Sequence, residues 1–236
     1  RNGGGWSIEC YNLLTGAWTN AGHLLYRLGW PSLAYHNDII YIFEQGVVQT
    51  FNIKSRQVRS YMIDLKLKSP ALYYFDGKLY ILSQLGYGSV FRFNDLQSEP
   101  TNLLSANFFG TQTSFKKCGN QIYVGNGTYD DKLRVLWSIN TATSSAKEII
   151  NYNADASISN LTCAKNYLYF LRENNTQVWR TNGTAESIIS LPINVLNDEQ
   201  IAFDDQILKL HSYDDYIYFV AKTKSSGTEL YIVKTE

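Results

Sequence analysis

No run of 18 apolar residues occurs in this 236-residue chain, so nothing in it reads as a membrane-spanning helix. A charge excess of either sign is also missing, because 21 basic residues balance 21 acidic ones. Nucleic-acid binding needs a positive field to offset the phosphates, so no nucleic-acid partner is expected. Histidine and cysteine are scarce, three of each, and no CxxC spacing marks a zinc site. A GxSxG elbow, a phosphate-cradling glycine loop and an HExxH helix are all absent. The sequence therefore implies no cofactor and no metal.

Aromatic side chains, by contrast, are plentiful: 18 tyrosines, 11 phenylalanines and 5 tryptophans. With 44% of residues hydrophobic and 18% charged, the composition is that of a folded domain with a large apolar core. An aliphatic-tyrosine pair recurs five times, as Ile40-Tyr41, Leu79-Tyr80, Ile122-Tyr123, Leu168-Tyr169 and Ile217-Tyr218, with spacings of 39, 43, 46 and 49 residues. Eight residues before each tyrosine stands a large apolar residue, namely Leu33, Leu72, Phe115, Leu161 and Leu210. Between the two lies a turn pair: Asn37-Asp38, Asp76-Gly77, Gly119-Asn120, Lys165-Asn166 or Asp214-Asp215. Such residues accept the backbone geometry of a tight hairpin. Each unit thus opens strand, turn, strand.

A second hairpin follows in each unit, with first strands VVQTFNI, SVFRFND, RVLWSIN, TQVWRTN and ELYIVKT. Four of these lead through a polar turn to a shorter strand: QVRSYMI, PTNLL, AKEII and AESII. Period-two alternation, as in residues 90–94, marks strands, and SAKEII is too short and β-branched to compete as a helix. Units of this length built from two hairpins predict an all-β chain: a β-propeller of four-stranded antiparallel blades. Five blades are favoured, over approximate units 32–65, 70–105, 112–151, 157–191 and 206–236 of a single domain 1–236. The alternative is six or more, with residues missing from the chain. The last unit is one strand short, and residues 16–20 are expected to complete it. Residues 6–20 thus contribute to ring closure, while 6–12 form an extra strand.

The remaining features bear on environment and surface. Cys118 and Cys163 lie near the ends of equivalent strands in neighbouring units, so a disulfide between blades is conceivable. Their offsets of five and six residues from the anchor tyrosines differ by one, which reverses the face within a strand, and buried thiols are the simpler reading. Asn126, Asn160, Asn174 and Asn182 each begin an N-x-T triplet, and Asn126, Asn174 and Asn182 fall in expected turns. These triplets point to an extracellular or secreted glycoprotein. The basic cluster Lys54, Arg56 and Arg59 is read as solvated surface on an outer hairpin.

Two resemblances follow from these residues. The stretch SIECYNLLTGAWTNAG followed by SLAYHNDIIYIF resembles a kelch repeat, with Tyr11, Trp18 and Tyr41 at the positions of that pattern. The repeat is degenerate: where kelch units carry a glycine pair, Phe43-Glu44, Leu82-Ser83 and Phe170-Leu171 stand nearby. LYFLRENNTQVWRTNGT and IYFVAKTKSSGTELYIVKTE resemble bacterial propeller-like repeats of the form LYF…ELWxTDGT over roughly the final third of the chain. Both imply a propeller, and neither brings a catalytic residue.

An enzyme would need convergent polar groups. His36, His211, Asp204 and Asp205 are the set that a channel mouth could assemble into a glycan-active hydrolase. His23, Asp214 and Asp215 read more simply as connection and turn residues. No catalytic residue is assigned, and a non-enzymatic module is favoured. The best-supported function is protein–protein recognition, because propeller loops are held rigid on one scaffold. A carbohydrate-binding lectin is the alternative. The anchor tyrosines are expected in the core. Aromatics that break the repeat are the candidate binding surface: Trp6, Trp18, Trp30, Tyr87, Phe108, Phe109 and Tyr129.

Overall fold

A computed structural model describes residues 7–11, 14–23, 32–44, 46–63, 65, 67, 70–83, 86–108, 112–127, 133–151, 158–172, 177–191, 207–223 and 227–235. The chain divides into two compact units, Arg1–Asn107 and Phe108–Glu236. Strands dominate both. The first unit begins with a hairpin of β1 (Ser7–Tyr11) and β2 (Trp18–His23). Sheet A then runs through β3 (Ser32–His36), β4 (Ile39–Glu44), β5 (Val47–Asn52) and β6 (Val58–Met62). Sheet B follows as β7 (Pro70–Phe75), β8 (Lys78–Ser83), β9 (Gly86–Phe93) and β10 (Thr101–Phe108).

The second unit holds three sheets. Sheet C comprises β11 (Gln112–Cys118), β12 (Gln121–Gly127), β13 (Leu133–Asn140) and β14 (Ser145–Asn151). Sheet D is β15 (Ser159–Ala164), β16 (Tyr167–Arg172), β17 (Gln177–Thr181) and the two-residue β18 (Ile189–Ser190). Sheet E has three strands, β19 (Ile207–Tyr213), β20 (Tyr216–Thr223) and β21 (Gly227–Lys234). In every sheet the strands are antiparallel and follow chain order. The turn residues act as expected. Asn37-Asp38, Asp76-Gly77 and Lys165-Asn166 each place both residues at positive φ, the geometry of a type I′ hairpin.

The aliphatic-tyrosine pair sits on the second strand of each of sheets A to E. In sheet A, Tyr41 and Phe43 pack toward sheet B, which answers with Leu72, Leu79 and Ile81. In sheet C, Tyr123 packs with Leu168 and Phe170 of sheet D, while Tyr169 of sheet D packs with Leu210 and Ile217 of sheet E. Successive residues of a strand point to opposite faces, so within the second unit Leu168 faces sheet C while Tyr169 faces sheet E. Leu79, Tyr80, Ile122, Tyr123, Leu168 and Tyr169 are all buried. Burial of each is worth about 1.5–3 kcal/mol of apolar transfer.

Polar ties cross the same interfaces. The Leu72 amide donates to Ser32 Oγ at 2.7 Å between sheets A and B. Between sheets D and E, the Thr162 and Ser212 hydroxyls share a 2.7 Å hydrogen bond. Lys165 there donates to the Thr235 carbonyl at 3.1 Å and pairs with Asp215 at 3.4 Å.

Several expectations need correction. Residues 18–20 are strand, as expected, and Trp18–His23 pairs with β1, so the strand expected at 6–12 is its hairpin partner. AESII is only partly a strand, since Ala185–Ser187 forms a single 3-10 turn before β18. Leu33 does not share the burial of Leu72, Phe115 and Leu210. It lies on the face of sheet A turned away from sheet B and is 58% exposed. SAKEII is β14, as its β-branched residues require.

The cysteines form a Cys118–Cys163 disulfide, with Cα atoms 5.5 Å apart, joining sheets C and D. The thiol reading therefore fails, for a reason contained in the one-residue offset. Cys118 shares the face of Tyr123, which looks forward to sheet D. Cys163 lies opposite Leu168, on the face of sheet D that looks back to sheet C. Stacked sheets present opposite faces to each other, so a reversed face is what lets the two residues meet.

A cross-link closing a separation of 45 residues is worth about 4 kcal/mol in the chain-entropy treatment. Replacing both cysteines by serine is expected to lower unfolding stability by about 2–4 kcal/mol, read from urea midpoints. Adding reductant to the native chain should reproduce the loss. Equal midpoints for native and double-serine chains would show that the cross-link does not tie the sheets.

Candidate functional site

A cavity lies between sheets A and B, wholly within the first unit. Its volume is about 570 Å³, inside the usual range of ligand pockets. It opens at the end of the sheets where the β3–β4, β5–β6, β7–β8 and β9–β10 turns gather. Tyr41, Tyr61, Tyr74 and Leu79 line it, with Asn52, Gln57 and Arg59 at one wall and Asn94, Asp95 and Gln97 at the other.

Each wall is built by an asparagine or aspartate that bonds its own turn. On the sheet A side, Asn52 Oδ1 accepts the amides of Lys54 (3.0 Å) and Ser55 (2.8 Å), while Arg56 takes a positive φ of 58°. On the sheet B side, Asp95 accepts the amides of Gln97 (2.8 Å) and Ser98 (2.7 Å) and the Ser98 hydroxyl (2.6 Å). The Ser98 hydroxyl, followed by these amides, holds the Asp95 carboxyl below its ordinary value. Asp95 is thus committed to its turn.

Aromatic rings form the floor. His36 stacks on Tyr74 with ring centres 4.1 Å apart, and Tyr74 stacks in turn on Tyr41 at 5.1 Å. Desolvation raises the Tyr41 phenol to about 12, helped by the nearby Tyr74 phenol, its hydrogen bond and the Tyr61 ring. Arg59 shares one cross-strand row with Tyr41 and Thr50. Of the expected basic cluster, Lys54 is paired with Asp38 at 2.6 Å, whereas Arg59 has no ion-pair partner among the described residues. The site therefore offers a cation, the turn-held Asp95 carboxylate, neutral amides and phenols above an aromatic floor.

The corresponding gap between sheets C and D is closed. There the matching row is Tyr123, Ser138 and Lys147, and the sheet C wall is the same motif, with Asn140 Oδ1 accepting the amides of Ala142 and Thr143. The difference lies in the opposing turn. Two residues beyond β17 stands Gly183, where sheet B has Asp95 two residues beyond β9. Gly183 takes a φ of +101°, and a Cβ there would come within 2.8 Å of Ser138 Oγ and 3.1 Å of the Tyr123 hydroxyl. That turn fills the gap. Its Glu186 carboxyl is held low by its own backbone amide and then by the charge of Lys147, the residue matching Arg59.

The residues singled out in the sequence do not gather at this cleft. Trp18 is 66% exposed on β2. Tyr87 lies within β9, and Phe108 ends β10. Trp6, Trp30, Phe109 and Tyr129 lie outside the described residues. His36 is committed to the ring stack in the first unit, His211 is exposed on β19 of the second, and Asp204 and Asp205 lie outside the described residues. Asn126 is on β12 and Asn160 on β15 at positive φ, whereas Asn182 is exposed in a turn; Asn174 lies outside. Among the described residues no helix is long and apolar enough to cross a membrane. The cleft itself was missed because its walls come from two units of the repeat. In the sequence Arg59 reads only as part of a solvated basic cluster.

The raised Tyr41 pKa has a measurable consequence. A phenol at about 10 when unfolded and about 12 when folded is neutral in the native state after the unfolded chain has begun to ionise. Its contribution to stability is complete below pH 10 and disappears as pH rises towards 12. Tyr41→Phe should therefore lose less stability over that interval than the native chain, measured by chemical denaturation at each pH. Identical slopes would place the phenol in ordinary solvent.

No protein-family model matches the chain, and no curated protein matches it by sequence. Solved structures do resemble it. A chain of "Crystal Structure of Mitotic Checkpoint Complex" aligns over 98% of this chain and 74% of its own length, with TM-score 0.58 and 12% identity. A chain of "Crystal structure of Nidogen/Laminin Complex" aligns over 78% of this chain and 70% of its own, with TM-score 0.50 and 15% identity. PorZ, described as a bacterial surface component of the type-IX secretion system of Porphyromonas gingivalis, aligns over 84% of this chain at TM-score 0.55 and 15% identity. This chain spans 27% of that PorZ chain. At such identities the likeness carries the fold alone. The sheets and these neighbours together make the chain a β-propeller-type fold of three- and four-stranded antiparallel sheets.

Proposed function

We propose that this chain is a non-enzymatic protein-recognition module, a single propeller over residues 1–236, acting outside the cytoplasm. The observation that carries the reading is the open cleft between sheets A and B: a concave, aromatic-floored site with a cation and several amides on rigid turns. Tyrosine and arginine are the side chains that anchor protein interfaces, and turns fixed on a scaffold lose little entropy on binding. The similar chains from the checkpoint and nidogen–laminin complexes come from protein assemblies by their titles. An oxidising compartment is favoured by the Cys118–Cys163 bond, since such cross-links persist outside the reducing cytosol. In a secretory pathway, the exposed Asn182 is the triplet best placed to carry a glycan. The kelch-like pattern at Tyr11, Trp18 and Tyr41 fits this reading.

Gln57 lies at the cleft wall and is exposed, so Gln57→Trp should obstruct the site without disturbing the core. Immobilised native chain and the Gln57→Trp variant are compared for partner capture from the native extracellular fraction, alongside Trp30→Ala and Phe109→Ala. Loss of a captured protein with Gln57→Trp is the expected result. Equal capture by native chain and Gln57→Trp removes the cleft as the recognition site. Loss confined to the Trp30 or Phe109 variants transfers recognition to the repeat-breaking aromatics.

A further inference from the structure

The two sheet gaps share one plan, and one of them contains its own occupant. In the gap between sheets C and D, the turn after β17 enters against the Tyr123, Ser138 and Lys147 row. It brings Gly183 against Ser138 and Tyr123 and a carboxylate, Glu186, into the field of Lys147. In the gap between sheets A and B, the equivalent row is Tyr41, Thr50 and Arg59. The turn that would enter is instead held by the Asp95 side chain on its own backbone, beside a cavity of about 570 Å³ and an Arg59 with no ion-pair partner among the described residues. Asp95 does not substitute for Glu186, because its oxygens are bonded to Gln97 and Ser98.

We infer that the cleft between sheets A and B receives a turn or loop of a partner protein that carries an aspartate or glutamate, whose carboxylate lies against Arg59. The incoming segment occupies the place that residues 182–187 take in the closed gap. Its small residues approach Thr50 and Tyr41 as Gly183 approaches Ser138 and Tyr123. Asn52, Gln57 and Asn94 at the rim supply neutral hydrogen-bonding groups for its backbone. Arg59 offers paired N–H donors on a planar fork that matches a carboxylate. This inference rests on the protein-recognition reading of the same cleft and narrows it to acidic segments.

The test uses a phage-displayed random peptide library selected on the intact folded chain, with recovered peptides measured by fluorescence polarisation. Three proteins are compared: native, Gln57→Trp and Arg59→Gln, each checked for native unfolding midpoints. The expected result is enrichment of peptides containing Asp or Glu that lose binding to Gln57→Trp. The same peptides should weaken about tenfold on Arg59→Gln, the scale of one charge-assisted hydrogen bond. Replacing the peptide's acid by its amide should produce a similar loss on native chain and little further loss on Arg59→Gln. Peptides blocked by Gln57→Trp but indifferent to Arg59→Gln would overturn the acidic-segment inference and leave the cleft as a recognition site. Peptides indifferent to Gln57→Trp, or no enrichment at all, would overturn both.

Discussion

Every sheet flanked by two neighbours must bury both of its faces, and that demand governs the rest of the structure. A strand answers it by alternating, one residue forward and the next back. The aliphatic-tyrosine pair is the smallest sequence that does this: Leu168 packs toward sheet C while Tyr169 packs toward sheet E. The same alternation explains the disulfide. Cys118 looks forward and Cys163 looks back, so covalent bond and hydrophobic contact lie on one interface.

The cleft marks the place where that packing is left incomplete. Both gaps have a tyrosine, a hydroxyl residue and a cation in one cross-strand row, and both have an asparagine-built turn on the first wall. They differ in the turn of the second wall, where Gly183 stands two residues beyond β17 and Asp95 two residues beyond β9. Glycine there allows a positive φ and close backbone approach, so the turn enters. Aspartate there bonds its own turn, so the space stays open. The half-buried state of Tyr41, beside the full burial of Tyr123 and Tyr169, is the trace of this difference in the repeat.

Legibility in the sequence followed the range of the interaction. Hairpins were readable because a turn pair and its flanking strands lie within a dozen residues, and the φ values at Asn37-Asp38 and Lys165-Asn166 follow from local chemistry. Strand faces were readable too, but which faces meet was not. Treating the Cys118 and Cys163 offsets within a common strand frame gave the wrong sign, because stacking joins opposite faces. Leu33 fits the apolar pattern of Leu72 and Leu210, yet its own side chain is 58% exposed. Arg59 is exposed surface, as the basic cluster implies, but its place on the wall of a cavity could not be seen in the sequence.

The amino-acid sequence by itself determined the strand-turn-strand units, their antiparallel order and the burial of Tyr80, Tyr123 and Tyr169, though not the half-exposed state of Tyr41 and Tyr218. Periodicity and turn chemistry act over a few residues, and the repeat states them five times. Only the tertiary structure decided which residues face each other across the gaps. It joined Cys118 to Cys163, closed one gap with Gly183 and left Arg59 at the mouth of another. Those outcomes depend on positions some 40 residues or more apart, brought together by stacking, and no local pattern encodes them.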